Sequence, residues 1–124
     1  MDTRSQLPGL NPAEREQAQT APAPSHARLM KAVLSREAFS DPDWLFERKL
    51  DGIRCLAIRD GGALRMLSRN DLDLAPRYPE VRDALAEQPR RQFAVDGEIV
   101  AFDRGQTSFA RLMQRGHRTV AVFL

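Results

Sequence analysis

The decisive stretch of the sequence is Glu47-Arg48-Lys49-Leu50-Asp51-Gly52-Ile53-Arg54, which holds the pattern Lys-x-Asp-Gly-x-Arg. The Asp-Gly pair predicts a tight turn, because glycine lets the backbone bend closely at that point. Such a turn lets a lysine at the end of one strand and Arg54 on the next face one pocket. Four fixed residues at this spacing occur by chance in about one chain in a thousand of this length. The alternative is a plain hairpin that carries a surface lysine.

The chain uses arginine for almost all of its positive charge. Of its 19 basic residues, only Lys31 and Lys49 are lysines. Arginine stays protonated, whereas lysine can lose its proton when neighbours lower its pKa from about 10.4. The lysine directly after Arg48 therefore indicates a place where an amine is needed, although chance use of lysine would give the same pattern.

Length and composition limit the class of protein. With 124 residues, the chain can support one small globular domain. It has no apolar run of about 20 residues and no hydrophobic signal region, which predicts a soluble cytoplasmic protein with no membrane partner. The single Cys55 and the distant His26 and His117 exclude a zinc-type ligand set, so a metal would need carboxylates or phosphate ligands. The net charge of +2 neither requires nor excludes nucleic acid.

The chain divides into a leader and a folded part. Four prolines among Ala, Gln, Ser and Thr predict a flexible leader or linker over residues 1–27. Residues 28–124 are predicted to fold, with alternating strand and helix patterns typical of an α+β domain whose sheet is mainly antiparallel. The predicted strands are 44–49, 53–59, 63–68, 93–102 and 120–124, and the predicted helices are 78–88 and a helix from a Thr107 cap to Gly116, with core positions Phe109, Leu112 and Met113.

Two carboxylates share one predicted strand. With a period of two, Asp96 and Glu98 point to one face, while Val95, Gly97 and Ile99 point to the other. Like charges on one strand face repel unless a cation or a hydrogen-bond donor lies between them. The pair therefore suits a ribose hydroxyl or a metal, and a solvated polar face is the alternative.

The lysine pattern resembles the signature of the covalent nucleotidyltransferases, which include DNA ligases, RNA ligases and mRNA capping enzymes. Further segments resemble, in the same order, the adenylation domain of ATP-dependent DNA ligases, and most of all the ligase module of bacterial non-homologous end-joining proteins of the ligase D type. These segments are residues 39–44, 67–70, 95–100 and 107–115. The resemblance spans about residues 38–124 and implies the N-terminal portion of the nucleotidyltransferase (ATP-grasp-like) fold.

The resemblance also implies roles for individual residues. Lys49 would be the catalytic nucleophile that takes AMP from ATP, and Glu47 would contact the adenine. Arg54 would stabilise the charge of the ATP phosphates, and Arg69 would contact ribose or the nick phosphate. Glu98 would bind the nucleotide ribose or a metal, Mg²⁺ or Mn²⁺, with Asp96 as its support.

The same resemblance implies partners and alternatives. The substrate of the full-length enzyme would be nicked or broken duplex DNA, an end-binding protein would recruit it, and the bacterial cytosol or nucleoid would be its location. An RNA ligase and a capping-type enzyme remain alternatives, because they share the lysine motif. A fragment that binds nucleotide or DNA without catalysing a reaction is a further alternative.

The last residues, 120–124, lie where the family continues into an aromatic motif that stacks on adenine, and Phe123 cannot be assigned that role. A second glutamate motif, a phosphate-binding lysine pair and an OB-fold domain follow in the family. The expectation is therefore a truncated ligase that is inactive or nearly so alone. Stoichiometric labelling of Lys49 by α-labelled ATP in the 124-residue chain would contradict it.

Overall fold

Four antiparallel strands form the sheet that carries the site. The computed structural model describes residues 9–114 and 120–123. The four strands are β1 Ile53–Asp60, β2 Ala63–Leu67, β3 Gln92–Val100 and β6 Val120–Phe123, and they lie in the order β2-β1-β3-β6. A two-stranded sheet pairs β4 Phe102–Asp103 with β5 Gln106–Thr107, and the helices are α1 Pro12–Thr20, α2 Pro79–Ala86 and α3 Phe109–Met113. The predicted α+β class with an antiparallel sheet is confirmed.

The hairpin of β1 and β2 forms where the sequence predicted it. Gly61 has a φ of 59°, a left-handed conformation that glycine adopts without strain. The register pairs Asp60 with Ala63 and Leu56 with Leu67. On the other side of β1, the pairing of Leu56 with Asp96 and of Arg54 with Glu98 attaches β3. Strand β1 is therefore the centre from which the site is built.

The hydrophobic core lies on one face of this sheet. Cys55, Ala57 and Ile99 are fully buried there, next to Tyr78 and Val81 from the start of α2. The predicted alternation of β3 is confirmed, because Val95 and Ile99 pack into this core while the even-numbered residues Asp96 and Glu98 lie on the opposite face. The helix predicted from Tyr78 is also confirmed, as α2.

A helix lies within the segment that was predicted to be a flexible leader. Asn11 accepts a hydrogen bond from the Glu14 N–H, and the Glu14 carboxylate accepts one from the Asn11 N–H, so the two form a capping box at the start of α1. Pro12 occupies the first turn, where its missing N–H does no harm. None of the helix residues is buried. The boundary at residue 27 stays a prediction, but the leader contains local structure.

The strand predicted over residues 44–49 is wrong. These residues are exposed and belong to no strand. Trp44 and Phe46 are each 61% exposed and Leu45 is 91% exposed, although their β-type side chains gave the strand pattern. A strand forms only when a neighbour pairs with its backbone, and no strand among the described residues pairs with this segment. Phe39 instead contacts the Trp44 and Phe46 rings, with centroids 5.1 and 5.5 Å away.

The helix predicted to start at a Thr107 cap is shorter and differently capped. Ser108 is the cap of α3, since its side chain accepts the Arg111 N–H. Leu112 is buried as predicted, but Phe109 and Met113 are 43% and 37% exposed, so their core assignment is wrong. The predicted end at Gly116 lies outside the described residues. The last strand, β6, is confirmed by its pairing with β3.

No helix in the described residues is long and apolar enough to cross a membrane.

The Cys55 thiol lies in the core. Burial raises its pKa to about 12, and the negative charge of Asp96 is the second cause of this rise.

Cys55 is therefore expected to resist thiol reagents while the chain is folded. At pH 8, a pKa of about 12 rather than the ordinary 9.0 leaves about a thousandfold less thiolate, which is the reactive form. Labelling with a disulfide reagent, with and without urea, measures the difference. Equal rates in the two conditions would contradict the buried position. Because the pKa of Cys55 is raised in the folded chain, its neutral thiol contributes its full share of the folding free energy below about pH 9. This share is lost as the pH rises towards 12. In Cys55→Ala, the stability should therefore not fall over this pH range on account of the thiol.

Candidate nucleotide site

The candidate site lies on the sheet face opposite the core, at the start of β1. A cavity of about 330 Å³ opens there between the segment before β1 and the middle of β3. Its lining residues are Glu47, Arg48, Leu50, Arg54, Asp96, Gly97 and Glu98. The structure thus brings together the signature segment and the carboxylate strand, which are far apart in the sequence.

Arg54 is held by a partner that the sequence did not identify. Its Nε donates to Asp96 Oδ1 over 3.0 Å and its Nη2 donates to Asp96 Oδ2 over 2.6 Å, a bidentate ion pair. Its Nη1 also donates to the Met30 carbonyl oxygen. The pKa of Arg54 is held above its ordinary value, chiefly because Arg54 donates hydrogen bonds to Asp96. Within the described part of the chain these contacts use three of its five N–H donors and leave two for a bound anion.

The pairing adds a role for Asp96 that the sequence did not identify. Both of its carboxylate oxygens accept a hydrogen bond from Arg54, so it orients the arginine, and its support of Glu98 stays a prediction. Alternation within a strand does not show which residues of two different strands share a face. The register between β1 and β3 was needed to show that they meet.

Glu98 lies beside the turn of the signature. It is half-buried, and the loss of solvation on burial raises its pKa. The Gly52 N–H, which donates to it, and the charges of Lys49 and Arg54 act in the opposite direction and only partly compensate. A half-buried carboxylate whose negative charge is only partly balanced by its surroundings can bind a cation or accept a hydrogen bond from a hydroxyl group.

Replacing Glu98 with glutamine is expected to stabilise the chain at neutral pH. Because the folded-state pKa is raised, the wild-type carboxylate contributes most below the ordinary Glu value of 4.5 and loses that stability as pH rises through the raised value. Glu98→Gln has no carboxylate to ionise and so avoids this loss. Its free energy of unfolding should rise above that of the wild type over this pH range, by less than about 1 kcal/mol, because the group is partly exposed. Urea unfolding from pH 4 to pH 8 measures it, with the exposed Glu16→Gln as control. A pH-independent difference would contradict the mechanism.

Lys49 does not line the cavity itself, but its neighbours in the chain, Arg48 and Leu50, both do. Its side chain is exposed, and its positive charge acts on Glu98. Glu47, the predicted adenine contact, lines the cavity. The structure therefore brings together Glu47, Arg54 and Glu98, and the charge of Lys49 reaches Glu98.

Arg69, like Lys49, is a predicted site residue that is not among the residues lining the cavity. It is exposed in the turn after β2. The pairing of Leu67 with Leu56 places that turn beside the start of β1, so it lies at the same end of the sheet as Arg54. Its role stays a prediction.

Gly52 is required for a reason that the sequence did not show. A Cβ on this residue would collide with the Ile99 carbonyl oxygen and would lie 2.8 Å from Val100 Cγ1. Its backbone is therefore packed directly against β3. The chain bends at Gly52 as predicted, the closeness of this bend to a ligand stays a prediction, and the glycine in addition allows close packing against a strand.

Asp51 and Thr107 form a contact that sequence reasoning missed. The Asp51 N–H donates to Thr107 Oγ1 over 3.1 Å, and Asp51 Oδ2 accepts the Phe109 N–H over 3.2 Å. Thr107 was assigned to the helix cap, but it lies in β5 and its hydroxyl serves the signature turn. The sequence separation of 56 residues between the two partners left no local signal.

A family model described as "ATP dependent DNA ligase domain" matches residues 24–122, most of the chain. The chain belongs to the ATP-dependent DNA ligase domain family. The ligase resemblance of the sequence is thereby confirmed. The match includes the lysine signature, the carboxylate strand and the contact between Asp51 and Thr107, so the cavity lies within the family's region.

The curated relatives of this ligase-family chain include bacterial end-joining proteins. It is 37% identical over 81 residues to the multifunctional non-homologous end joining protein LigD of Mycobacterium bovis, which covers 64% of this chain and 11% of that protein. It is 44% identical over 57 residues to a probable DNA ligase of Streptomyces coelicolor, with 46% of this chain and 11% of that protein covered. The chain thus spans about a tenth of the length of these relatives.

A solved structure shares the fold of this ligase-family chain. The crystal structure of the ligase domain from M. tuberculosis LigD matches with a TM-score of 0.56 and 35% identity, covering 63% of this chain and 27% of that one. A mycobacterial DNA ligase D complexed with ATP and MES matches with a TM-score of 0.52 and 32% identity, covering 62% and 27% of the two chains. The chain corresponds to about a quarter of each solved chain.

Proposed function

We propose that the chain is the lysine-bearing part of an ATP-dependent DNA ligase and that Lys49 takes AMP from ATP. The observation that carries this proposal is a cavity that holds an oriented arginine and a half-buried carboxylate, lined by both chain neighbours of Lys49, with the charge of Lys49 acting on that carboxylate. Nucleophilic catalysis on phosphorus needs an amine next to groups that hold the phosphates and the sugar. RNA ligases and capping enzymes would use the same groups, and the choice of DNA rests on the family.

The first step follows from these groups. The neutral Lys49 amine attacks the α-phosphorus of ATP, a nitrogen–phosphorus bond forms, and the bond from that phosphorus to the pyrophosphate oxygen breaks. The attacking nitrogen gives up one proton to solvent and keeps one in the phosphoramidate, and pyrophosphate leaves. Arg54 uses its two remaining N–H donors on phosphate oxygens, while Glu47 contacts the adenine and Glu98 accepts a ribose hydroxyl.

The donor set fits a magnesium or manganese ion only together with the nucleotide. Within the described residues, no group of three or more His, Cys, Asp or Glu side chains forms a metal site. Glu98 can supply one ligand, and Mg²⁺ is commonly held by one or two carboxylates and the substrate phosphates. The bound ion would neutralise phosphate charge during the displacement.

The later steps and the partners are inferred from the family. AMP would pass from the lysine to a 5′-phosphate at a nick or break in duplex DNA, and the 3′-hydroxyl would then displace AMP to seal the strand. Arg69 would contact ribose or the nick phosphate. An end-binding protein would bring the enzyme to broken DNA, in the bacterial cytosol or nucleoid.

A chimera tests the proposal. Residues 38–122 replace the matching segment of the M. tuberculosis LigD ligase domain, of which the chain covers about a quarter. We expect covalent labelling by α-labelled ATP and divalent metal, followed by sealing of nicked duplex DNA. Nicked DNA is compared with RNA ends, and ATP with GTP, to distinguish the ligase from an RNA ligase or a capping enzyme. A chimera with native circular dichroism that takes no label would favour a non-catalytic binding role.

A further inference from the structure

The segment that carries Lys49 has few attachments of its own. Residues 44–50 belong to no strand, and all but Leu50 are exposed. Within residues 9–114, the hydrogen bonds nearest to Lys49 that attach this segment to the rest of the fold are made by the next two residues, Asp51 and Gly52. The position of the lysine relative to the cavity therefore depends on those two residues.

Asp51 is held by two hydrogen bonds that run in opposite directions. Its N–H donates to Thr107 Oγ1 over 3.1 Å, and its Oδ2 accepts the Phe109 N–H over 3.2 Å. The two bonds fix both the backbone and the side chain of Asp51, as a capping box does at a helix start. Thr107 contributes through its side chain alone, so its hydroxyl can be removed without altering the backbone.

The other side of this contact is anchored to the carboxylate strand. Thr107 pairs with Phe102 across the β4–β5 hairpin, and the Ser108 N–H donates to the Ala101 carbonyl oxygen over 2.9 Å. Ala101 follows directly on β3, the strand that carries Glu98. Asp51 is therefore fixed to an extension of the strand that supplies the carboxylate of the site.

We propose that Thr107 is a positioning residue that holds Lys49 in place through Asp51. The inference rests on the proposed function, because it assigns a purpose to the placement of the nucleophile. Only Leu50 separates the lysine from Asp51, so the two Cα atoms can be at most about 7 Å apart. An attacking group must be held within a small distance of its target for the reaction to be fast. Loss of the hydroxyl frees one end of this short tether.

Nitrogen-15 relaxation on the 124-residue chain tests the inference. Thr107→Val keeps the shape of the side chain and removes the hydroxyl, and Thr107→Ser keeps the hydroxyl. We expect the order parameter of the Lys49 N–H to fall from the rigid range of about 0.85 to below about 0.6 in the valine variant. The serine variant should retain the wild-type value. An unchanged order parameter in the valine variant would overturn the inference.

Ser108→Ala is the matched control, because it removes the cap of α3 and leaves both Asp51 contacts in place. It should lower stability without changing the order parameter of Lys49. An equal loss of order in this variant would show that α3 as a whole matters, and would also overturn the positioning role of Thr107.

A second measurement separates this inference from the proposed function. After reductive methylation with carbon-13, Lys31 and Lys49 give two side-chain signals, and MgATP should shift that of Lys49 in the wild type and in the serine variant. The shift should fall by at least about half in Thr107→Val, because the amine is less well placed. Absence of any shift in the wild type would count against nucleotide binding here, whereas the relaxation data would still decide the role of Thr107.

Discussion

Lys49→Arg is expected to reduce covalent AMP transfer in the chimera by at least about a thousandfold, because arginine keeps the positive charge but stays protonated and cannot attack phosphorus. The side chain is exposed, so the change should leave the fold intact. The measurement is the initial rate of labelling by α-labelled ATP. Binding of ATP should change much less, since Glu47, Arg54 and Glu98 remain.

Lys31→Arg is the matched control, since Lys31 is the other lysine of the chain and is also exposed. Its labelling rate should stay within about twofold of the wild type, as expected for a surface substitution. If Lys49→Arg labels at the control's rate, the nucleophile lies elsewhere. If both variants lose labelling with intact circular dichroism, the loss is not specific to Lys49, and this outcome would contradict its assignment as the single nucleophile.

The features that the sequence predicted well are local ones. The hairpin at Gly61 depends on a turn of a few residues, and the opposite faces of Val95 and Asp96 follow from the two-residue period of a strand. The helix at Val81 follows from helical spacing after a proline. Lys49, Glu47, Arg54 and Glu98 could be named because the family signature fixes residue types at short spacings.

The missed features depend on partners that are distant in sequence. Asp96 lies 42 residues from Arg54, and Thr107 lies 56 residues from Asp51, so only the register and the hairpin path bring them together. The strand predicted at Trp44 failed for the related reason that a strand pattern says nothing about whether a pairing neighbour is present. The helix α1 is a different case, because Asn11 and Glu14 are three residues apart and their capping pattern was readable.

The reason for glycine in the signature turn also lies outside the turn. Gly52 could be assigned to a bend from its neighbours alone, but its backbone lies against Ile99 and Val100, which are nearly 50 residues further along the chain. The same close approach lets the Gly52 N–H donate to Glu98. One residue thus sets the distance between β1 and the carboxylate strand, and this leads to the second large expected effect.

Gly52→Ala is expected to lower the free energy of unfolding by at least about 3 kcal/mol, because overpacking against backbone cannot be relieved by a side-chain rotation. The added methyl group would overlap the Ile99 carbonyl oxygen and lie 2.8 Å from Val100 Cγ1 and 3.0 Å from Glu98 Cγ. Relief requires β1 and β3 to separate where Ile53 pairs with Ile99, at the centre of the sheet. Urea unfolding of the 124-residue chain measures the loss.

Gly62→Ala is the matched control for this substitution. No atom lies within 4 Å of a Cβ built on Gly62, so the change adds the same methyl group without a collision. Its effect should be neutral or slightly stabilising, by up to about 1 kcal/mol, since alanine restricts the unfolded chain. Equal unfolding midpoints for the two variants would show that β1 and β3 do not pack as closely as described. A selective loss in Gly52→Ala would show that the glycine is fixed by sheet packing, independently of any ligand.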